Sequence, residues 1–549
     1  MSAPPDAREG AWSERAWHGA ALAFAAAALL LRLWRIGTQP LWFDEALTAH
    51  IAYGPDGLDY VHNTPPLYHW LTRLWSGVFG VGAAGLRSFS AVAGAAFVWS
   101  TFHTARFVFG NRAAVAAALL VLASPLHLYY SQEARAYALL LCELMLALWL
   151  LWRLVARLDV RTWLLLVLAS TAALHTHYLA AIPLAIAFAV LGRSAPAAAR
   201  WRTARWVAAA GAAAVLLLLP WLLWWSRHTP FAASDMRWLE LLWAGLSGPG
   251  AIATSFELFL LGGQAERTPL FLKQFSSLPF PAALRIAALV AMGAVAALGL
   301  LRRSGPSPQR RAALACATLC LGPLLVLWLV SLVRPVYGPG RYDLIAYPGF
   351  VLLLGQAIAA ATAAPGRVCR WLAWSAVAAL ALAVVGKDWR YFTAPAGPDP
   401  NRAVAQQLAA RVPSGDTVIL CGSVGLPVIV HLYDDGYVWA HGRCRSARSG
   451  VEFGCRLLPP ALAAAPAAVS RYLQALEDGS LVADLAQIVQ DVPASTSGIW
   501  LVLGQELLGA GLAPAMQQMG RDLLRVLDRA GYELVDADRQ LGVAQFRRR

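Results

Sequence analysis

Lysine is nearly missing from these 549 residues: Lys273 and Lys387 are the only two, so the net charge of +14 is carried almost wholly by arginine. Charge of either sign is scarce, at 14% of residues, where an ordinary soluble domain has roughly a quarter. Against that scarcity, 58% of residues are hydrophobic and the mean hydropathy is +0.53. This is the composition of a polytopic α-helical membrane protein. The arginines fall in short clusters between apolar runs, which suits orientation in a lipid bilayer and removes nucleic acid as a partner. Cysteine is also sparse. Cys142, Cys316, Cys320 and Cys369 sit in or beside apolar runs and read as small buried hydrophobes. In the polar C-terminal region, Cys444 and Cys455 are spaced for a short disulfide if that region is outside the cytoplasm, with Cys421 left over. A metal site using His441 with these two is the alternative, without close paired ligand spacing to support it.

Runs of spanning length, about twenty residues each, lie near 17–35, 84–105, 112–128, 131–152, 162–176, 178–192, 205–225, 281–301, 312–333, 342–362 and 370–386. That predicts about eleven transmembrane helices. Positive charge appears at every second loop: Arg106 and Arg112; Arg153, Arg157 and Arg161; Arg193, Arg200, Arg202 and Arg205; Arg302, Arg303, Arg310 and Arg311; Arg367 and Arg370. The N-terminus, residues 1–16, is therefore expected in the cytoplasm, and the first outer loop 36–83, the segment 227–280 and everything beyond residue 387 outside. The first apolar run has no small-residue cleavage pattern after it and reads as a retained signal anchor. Residues 391–400 read as a linker after a membrane domain of residues 17–390. Beyond it, DTVILCG, GIWLVLG and YELVDADRQLGVAQF pattern as strands and NRAVAQQLAARV and AMQQMGRDLLRVLDRAG as helices, giving an extracytoplasmic α/β domain over 401–549. No GxGxxG or Walker-type loop occurs in that domain, so nothing there points to nucleotide binding.

The conspicuous polar residues are those on the outward side. Asp44 and Glu45 follow the first span at once, and a carboxylate pair beside a membrane needs a ligand, a counter-ion or a reaction. Arg32 and Arg35 mark the outer end of span one and Arg87 that of span two. Arg135 and Glu133 lie in the turn between spans three and four, His175, His177 and Tyr178 between five and six, and Arg341, Tyr342 and Asp343 between nine and ten. Guanidinium groups at one level suit a phosphate, which they hold with two parallel bonds. In the first outer loop, Ala46 to Tyr53 and the stretch after Pro65 and Pro66 read as two short helices, the second aromatic, amphipathic and suited to the interface.

In chain order, WFDEA (42–46), NTPPLYHWLTRLW (63–75), LRSFSAVAG (86–94), YYSQEARAYALLL (129–141), HTHYLAA (175–181) and RYDLIAYPG (341–349) resemble the bacterial GT-C membrane glycosyltransferases, in the superfamily of protein O-mannosyltransferases and aminoarabinose transferases. The resemblance runs from residue 17 to about 390. It implies transfer of a sugar from a polyprenyl-phosphate donor, with inversion, to a glycan, glycolipid or protein acceptor on the outer face of the bacterial cytoplasmic membrane. By position, Asp44 matches the catalytic acid and Glu45 its acidic neighbour. Arg135 and the Arg341–Tyr342 turn match positions near the donor phosphate, where Arg35 and Arg87 are further candidates. His62, Pro65, Pro66, Tyr68, Glu133, His177 and Tyr178 are the expected substrate contacts. Aminoarabinose transferases have a lysine before the paired prolines; Thr64 stands there, which puts that sugar in doubt.

The residues support this chemistry on their own terms. An acceptor hydroxyl needs a base as its bond forms, and Asp44 is placed for that. Departing phosphate needs cations. One carboxylate is compatible with inversion, whereas a double displacement needs a second as nucleophile. No cofactor is implied with certainty; a divalent metal ion held by Asp44, Glu45, His62 and His177 is a further option without ligand spacing behind it. The competing readings are a transporter or flippase of lipid-linked sugars and a membrane receptor.

Overall fold

The computed structural model describes residues 13–54, 65–193, 199–228, 250–262, 308–364, 366–393, 399–460, 478–504 and 514–549, with a few isolated residues between them. Helix α1 (Glu14–Leu33) starts where Ser13 Oγ accepts from Ala16 N at 3.2 Å. It is followed by α2 (Phe43–Tyr53), α3 (Leu67–Phe79), α4 (Ala83–Phe109), α5 (Asn111–Leu122), α6 (Pro125–Ser131), α7 (Tyr137–Ala156), α8 (Val160–Thr176), α9 (Ala181–Gly192) and α10 (Arg200–His228). Helices α11 (Gly250–Leu261), α12 (Pro308–Ser331), α13 (Tyr347–Thr362) and α14 (Arg367–Thr393) complete the apolar domain. Six helices among the described residues are long and apolar enough to cross a membrane, or seven if α5 and α6 are one span bent by 62°. The protein is a multi-pass membrane protein. The span expected at 281–301 lies outside the described residues, apart from Gly293.

The α5–α6 bend occurs at Ser124–Pro125, where proline withholds a backbone donor and frees carbonyls that hydrocarbon cannot hydrate. Arg32, fully buried, answers this: its guanidinium donates to Val121 O at 3.1 Å, Ala28 O at 3.2 Å and Ser131 Oγ at 3.1 Å, and lies 2.7 Å from His127 Nδ1. An arginine that reads on the sequence as one of the outward cations is thus a strut for a broken helix. Gly94 on α4 permits the contact, because a Cβ there would stand 2.2 Å from Ser131 Oγ.

Two boundaries differ from the sequence pattern. The fourth span begins at Tyr137 rather than 131, because Gln132 to Arg135 are drawn into contacts with α1 and α2; Gln132 Nε2 donates to Arg32 O at 2.8 Å and Trp34 O at 2.9 Å. Helix α2 begins at Phe43 rather than 46, so Asp44 and Glu45 form its first turn, where carboxylates complement the helix dipole. Helix α3 turns Tyr68, His69, Thr72 and Ser76 inward and exposes Trp70, Leu74, Val78 and Phe79, an arrangement made for lipid.

Helix α14 runs to Thr393 and α15 (Pro400–Arg411) starts at the Asp399 cap, so the linker is shorter than the expected 391–400. The α/β domain then adds β1 (Thr417–Cys421), α16 (Gly425–Asp434), β2 (Tyr437–Ala440), β3 (Arg443–Ser446), β4 (Glu452–Leu458), α17 (Ser480–Gln490), β5 (Gly498–Val502), α18 (Pro514–Arg529), β6 (Tyr532–Asp538) and β7 (Val543–Arg548). The sheet order is β2-β3-β4-β1-β5-β7-β6, with β4, β1 and β5 parallel and the flanking pairs antiparallel. Cys444 and Cys455 are buried free thiols on neighbouring strands, not a bridge, and their side chains touch each other inside the sheet's core. Among the described residues no three His, Cys, Asp or Glu side chains gather as metal ligands, His441 included.

This domain is docked on α2. Leu41, Ala46, Ala49, Ala52, Leu86 and Ala134 of the membrane domain share one apolar cluster with Val404, Leu408, Leu426 and Trp439 of the α/β domain. His50 Nδ1 lies 2.8 Å from Tyr433 Oη, with the two rings stacked.

Candidate active site

Adjacent residues on a helix point about 100° apart, and α2 uses this to separate its two acids. Glu45 turns inward and is 1% exposed. Arg87 grips it with Nε to Oε1 at 2.7 Å and Nη2 to Oε2 at 2.5 Å. Ala134 N donates to Oε1 at 2.8 Å and Trp42 N to Oε2 at 3.4 Å. The rest of the Arg87 guanidinium donates to Ile36 O, Gln39 O and Pro40 O at 2.9–3.0 Å. Glu45 and Arg87 therefore tie together the loop after α1, the first turn of α2, the N-terminal end of α4 and the α6–α7 turn. Both are saturated, so Glu45 orients the site rather than holding a cation, and Arg87 is spent on Glu45 and backbone carbonyls rather than on a phosphate.

Asp44 turns the other way. Arg341 Nη2 lies 2.6 Å from Asp44 Oδ2, Arg135 Nη2 lies 3.7 Å from the same oxygen, and Arg135 Nη1 donates to Asp44 O at 3.3 Å. Burial alone would push this carboxyl up, but Arg341 and Arg135 outweigh it and hold Asp44 below the usual carboxylate range. Arg341 is itself fixed: Nε donates to Tyr137 Oη at 2.5 Å, and its guanidinium carbon lies 5.8 Å from the Tyr137 ring centre and 5.9 Å from that of Tyr342. Tyr130 Oη donates to Gly340 O, pinning the segment that carries Arg341.

Arg135 and Arg341 face a cleft whose other walls are Pro65, Tyr68, His69, Ala136, Tyr137, Thr176, His177 and Tyr342. His177 is in extended backbone at the end of α8, with Nδ1 accepting from Leu179 N at 3.2 Å. Burial, then Arg341 and Arg135, lower its pKa to about 4, so it is a neutral imidazole. Burial with Arg135 lowers that of His69 to about 3. The positive charge of the cleft thus resides in two arginines balanced by one carboxylate.

Of the sequence candidates, Asp44, Arg135, Arg341, Tyr342, His177, Tyr68 and Pro65 converge here, and Pro66 caps α3 beside them. Tyr178 does not: its hydroxyl accepts from Trp221 Nε1 at 3.0 Å, toward α10. His175 is turned to Thr171 O. Arg35 is exposed and donates to Phe392 O, on the far side of the α6–α7 turn, where Glu133 also lies. His62 and Thr64 lie outside the described residues. His69, Tyr137 and Thr176 are cleft residues that the sequence reading passed over; the one available signal was their position inside the quoted stretches.

Residues 63–224 match the family of dolichyl-phosphate-mannose-protein mannosyltransferases. No curated protein sequence matches the chain. Among solved structures, the fold is similar to that of the oligosaccharyltransferase of Archaeoglobus fulgidus in complex with zinc and sulfate, at 14% identity and a TM-score of 0.51, over 95% of this chain and 73% of that one. The archaeal oligosaccharyltransferase AglB from A. fulgidus, with an inhibitory peptide and a dolichol-phosphate, matches at 13% identity and 0.50, over 98% and 75%. ArnT from Cupriavidus metallidurans bound to undecaprenyl phosphate matches at 14% and 0.46, over 96% and 98%. The fold is therefore similar to that of the archaeal oligosaccharyltransferases, and residues 63–224 match a membrane mannosyltransferase family.

Proposed function

We propose that the protein is an inverting glycosyltransferase that moves a sugar from a polyprenyl-phosphate donor to an acceptor hydroxyl on the extracytoplasmic face of a bacterial cytoplasmic membrane. The observation that carries this is the Asp44 carboxylate set against the Arg135 and Arg341 guanidinium groups, on the wall of a cleft beside the lipid-facing α3. The donor phosphate enters the cleft and takes Arg341 and Arg135 as its partners, which releases Asp44 from the 2.6 Å ion pair. Asp44 then accepts the proton of the acceptor hydroxyl as its oxygen attacks the anomeric carbon. The bond from that carbon to the phosphate oxygen breaks, its electron pair passes to the lipid phosphate, and the arginines stabilise the charge that develops. Neutral His177 and His69 offer hydrogen bonds without adding charge.

The described donor set does not fit a divalent ion. Asp44 is paired with Arg341 and Arg135 and Glu45 with Arg87, so a metal ligated by both would face three guanidinium groups. No step above uses one.

The test is sugar transfer by the purified protein in lipid nanodiscs, offered a panel of undecaprenyl-phosphate sugars and envelope glycolipids, with products read by mass spectrometry. Release of undecaprenyl phosphate coupled to one glycosylated product supports the reading. Movement of labelled donor across vesicles, with no transfer to any acceptor, would replace it by a flippase.

A further inference from the structure

Asp343 follows Arg341 by two residues and takes no part in the reaction as written above. It is fully buried, and neither oxygen of its carboxyl makes a well-formed hydrogen bond among the described residues. A buried acceptor left without a partner is costly, and such groups are few in folded proteins. The donors that face it are the Ser255 hydroxyl and the backbone N–H groups of Gly340, Arg341 and Asp343 itself. Two of these are engaged elsewhere: Arg341 N donates to Gly338 O at 3.0 Å, and Ser255 Oγ lies 2.7 Å from Tyr337 Oη. Asp343 is thus an acceptor set against the turn that carries Arg341, with the donors of that turn stopping short of it.

The turn can adjust without coming loose. Glycines stand on both sides of Pro339, and Gly340 has a φ of 74°, where most side chains are strained. Tyr130 Oη holds Gly340 O, and Ser331 Oγ accepts from Tyr337 N at 2.8 Å, so the segment between them has two fixed points. The proposed reaction requires Arg341 to shift. Its Nη2 lies 2.6 Å from Asp44 Oδ2, and it must leave that oxygen before Asp44 can take a proton. Breaking a largely buried ion pair is unfavourable by itself. Bringing the N–H groups of the turn onto the Asp343 carboxyl in the same step offsets that cost, because orphaned oxygens gain partners.

We propose that Asp343 is a positioning residue that acts through Arg341: its carboxyl takes up the N–H groups of Gly340 and Arg341 as the Arg341 guanidinium passes from Asp44 to the donor phosphate. Asp343 is not a wall of the cleft and touches no reacting atom. The identity of the phosphate rests on the glycosyltransferase reading above; the coupling of Asp343 to the Arg341–Asp44 pair does not.

The experiment is a double-mutant cycle on the full chain in lipid nanodiscs, read as affinity for undecaprenyl phosphate by microscale thermophoresis and as thermal stability. Leucine is close to aspartate in shape, so Asp343→Leu removes the acceptor and leaves no hole. That variant melts no lower than the parent, since an unpartnered carboxyl is lost, yet binds undecaprenyl phosphate about tenfold more weakly. In sugar transfer its donor KM rises by a similar factor, while kcat at saturating donor changes by less than about threefold. In the Asp44→Asn background Arg341 has no carboxylate to leave, and the same substitution weakens binding by less than about threefold. Asp343→Asn, which keeps one acceptor oxygen, replaces the leucine variant in the cycle if that variant does not fold, with the same dependence on Asp44. Affinity within about threefold of the parent, or an equal loss with and without the Asp44 charge, overturns the proposal. Asp343-dependent binding of the lipid phosphate by a protein that transfers no sugar leaves this role standing and removes the glycosyltransferase reading. Sugar transfer with donor affinity indifferent to Asp343 does the reverse.

Discussion

Replacing Asp44 by asparagine tests the core of the reasoning, because it keeps the shape of the side chain and removes both the base and the charge. A positioned general base contributes about a hundredfold to ten-thousandfold, equivalent to about 2.7–5.4 kcal/mol in the barrier. The same change acts oppositely on the donor. Arg341 and Arg135 are 13% and 14% exposed and share one carboxylate oxygen; without its charge, two desolvated guanidinium groups are left to a phosphate. Asp44→Asn should therefore bind undecaprenyl phosphate as tightly as the parent or up to about tenfold more tightly, while kcat falls by at least about a hundredfold. Binding is measured by microscale thermophoresis in nanodiscs and turnover by release of the lipid phosphate under saturating donor. Transfer at more than a tenth of the parental rate would refute Asp44 as the base. Loss of lipid-phosphate binding would show that the carboxylate holds the arginines in place rather than waiting for a proton. The sign of the pH dependence is also fixed. A depressed carboxyl is ionised throughout the neutral range, so its contribution to stability is lost only as pH falls toward its lowered native value, and no acid limb of kcat near pH 6 is expected from Asp44.

Arg341→Lys keeps the charge but loses the planar fork that spans Asp44 and Tyr137, so donor KM should rise and kcat fall by about tenfold each in initial-rate measurements; unchanged kinetics would exclude a bidentate role. Glu45→Gln leaves Arg87 buried with no counter-charge, and thermal unfolding in detergent should show a loss of about 3–5 kcal/mol; a variant as stable as the parent would remove the clamp described for this pair. Glu133 has a native pKa of about 8 against 4.5 as its ordinary value. Stability from such a group is complete below the ordinary value and is lost as pH rises through the native one. The parent should thus melt progressively lower between pH 5 and about 8.5, by up to about 5 kcal/mol from this one group, and Glu133→Gln should flatten that decline; parallel curves would place the carboxyl's pKa elsewhere.

Runs such as 205–225 and 312–333 were legible as helices of membrane length because so long an apolar stretch has no alternative to lipid. Legibility failed where a residue's meaning depends on a distant partner. Asp44 and Glu45 are neighbours in the chain and read as a pair, but adjacent helical positions point about 100° apart: one meets Arg341, 297 positions away, the other Arg87 and Ala134. Nothing local marks Arg32 as a backbone strut and Arg135 as a cleft residue, since both are arginines near an outer helix end. In the α/β domain, β1 and β5 carry continuous apolar runs and were evident. Strands β2 and β3 are four residues each, and β3 alternates arginine with Cys444 and Ser446, too short and polar a signal against its surroundings.

The seating of α2 against α16 bears on the order in which the chain takes shape. Residues 400–549 leave the ribosome after the apolar helices α1 to α14, yet they furnish the apolar wall and the Tyr433 hydroxyl on which the C-terminal half of the Asp44 helix rests. A nascent chain still awaiting its last domain therefore carries the Asp44 helix without the surface on which its C-terminal half packs. The order of synthesis thus makes the seating of that helix one of the last packing events as the chain folds.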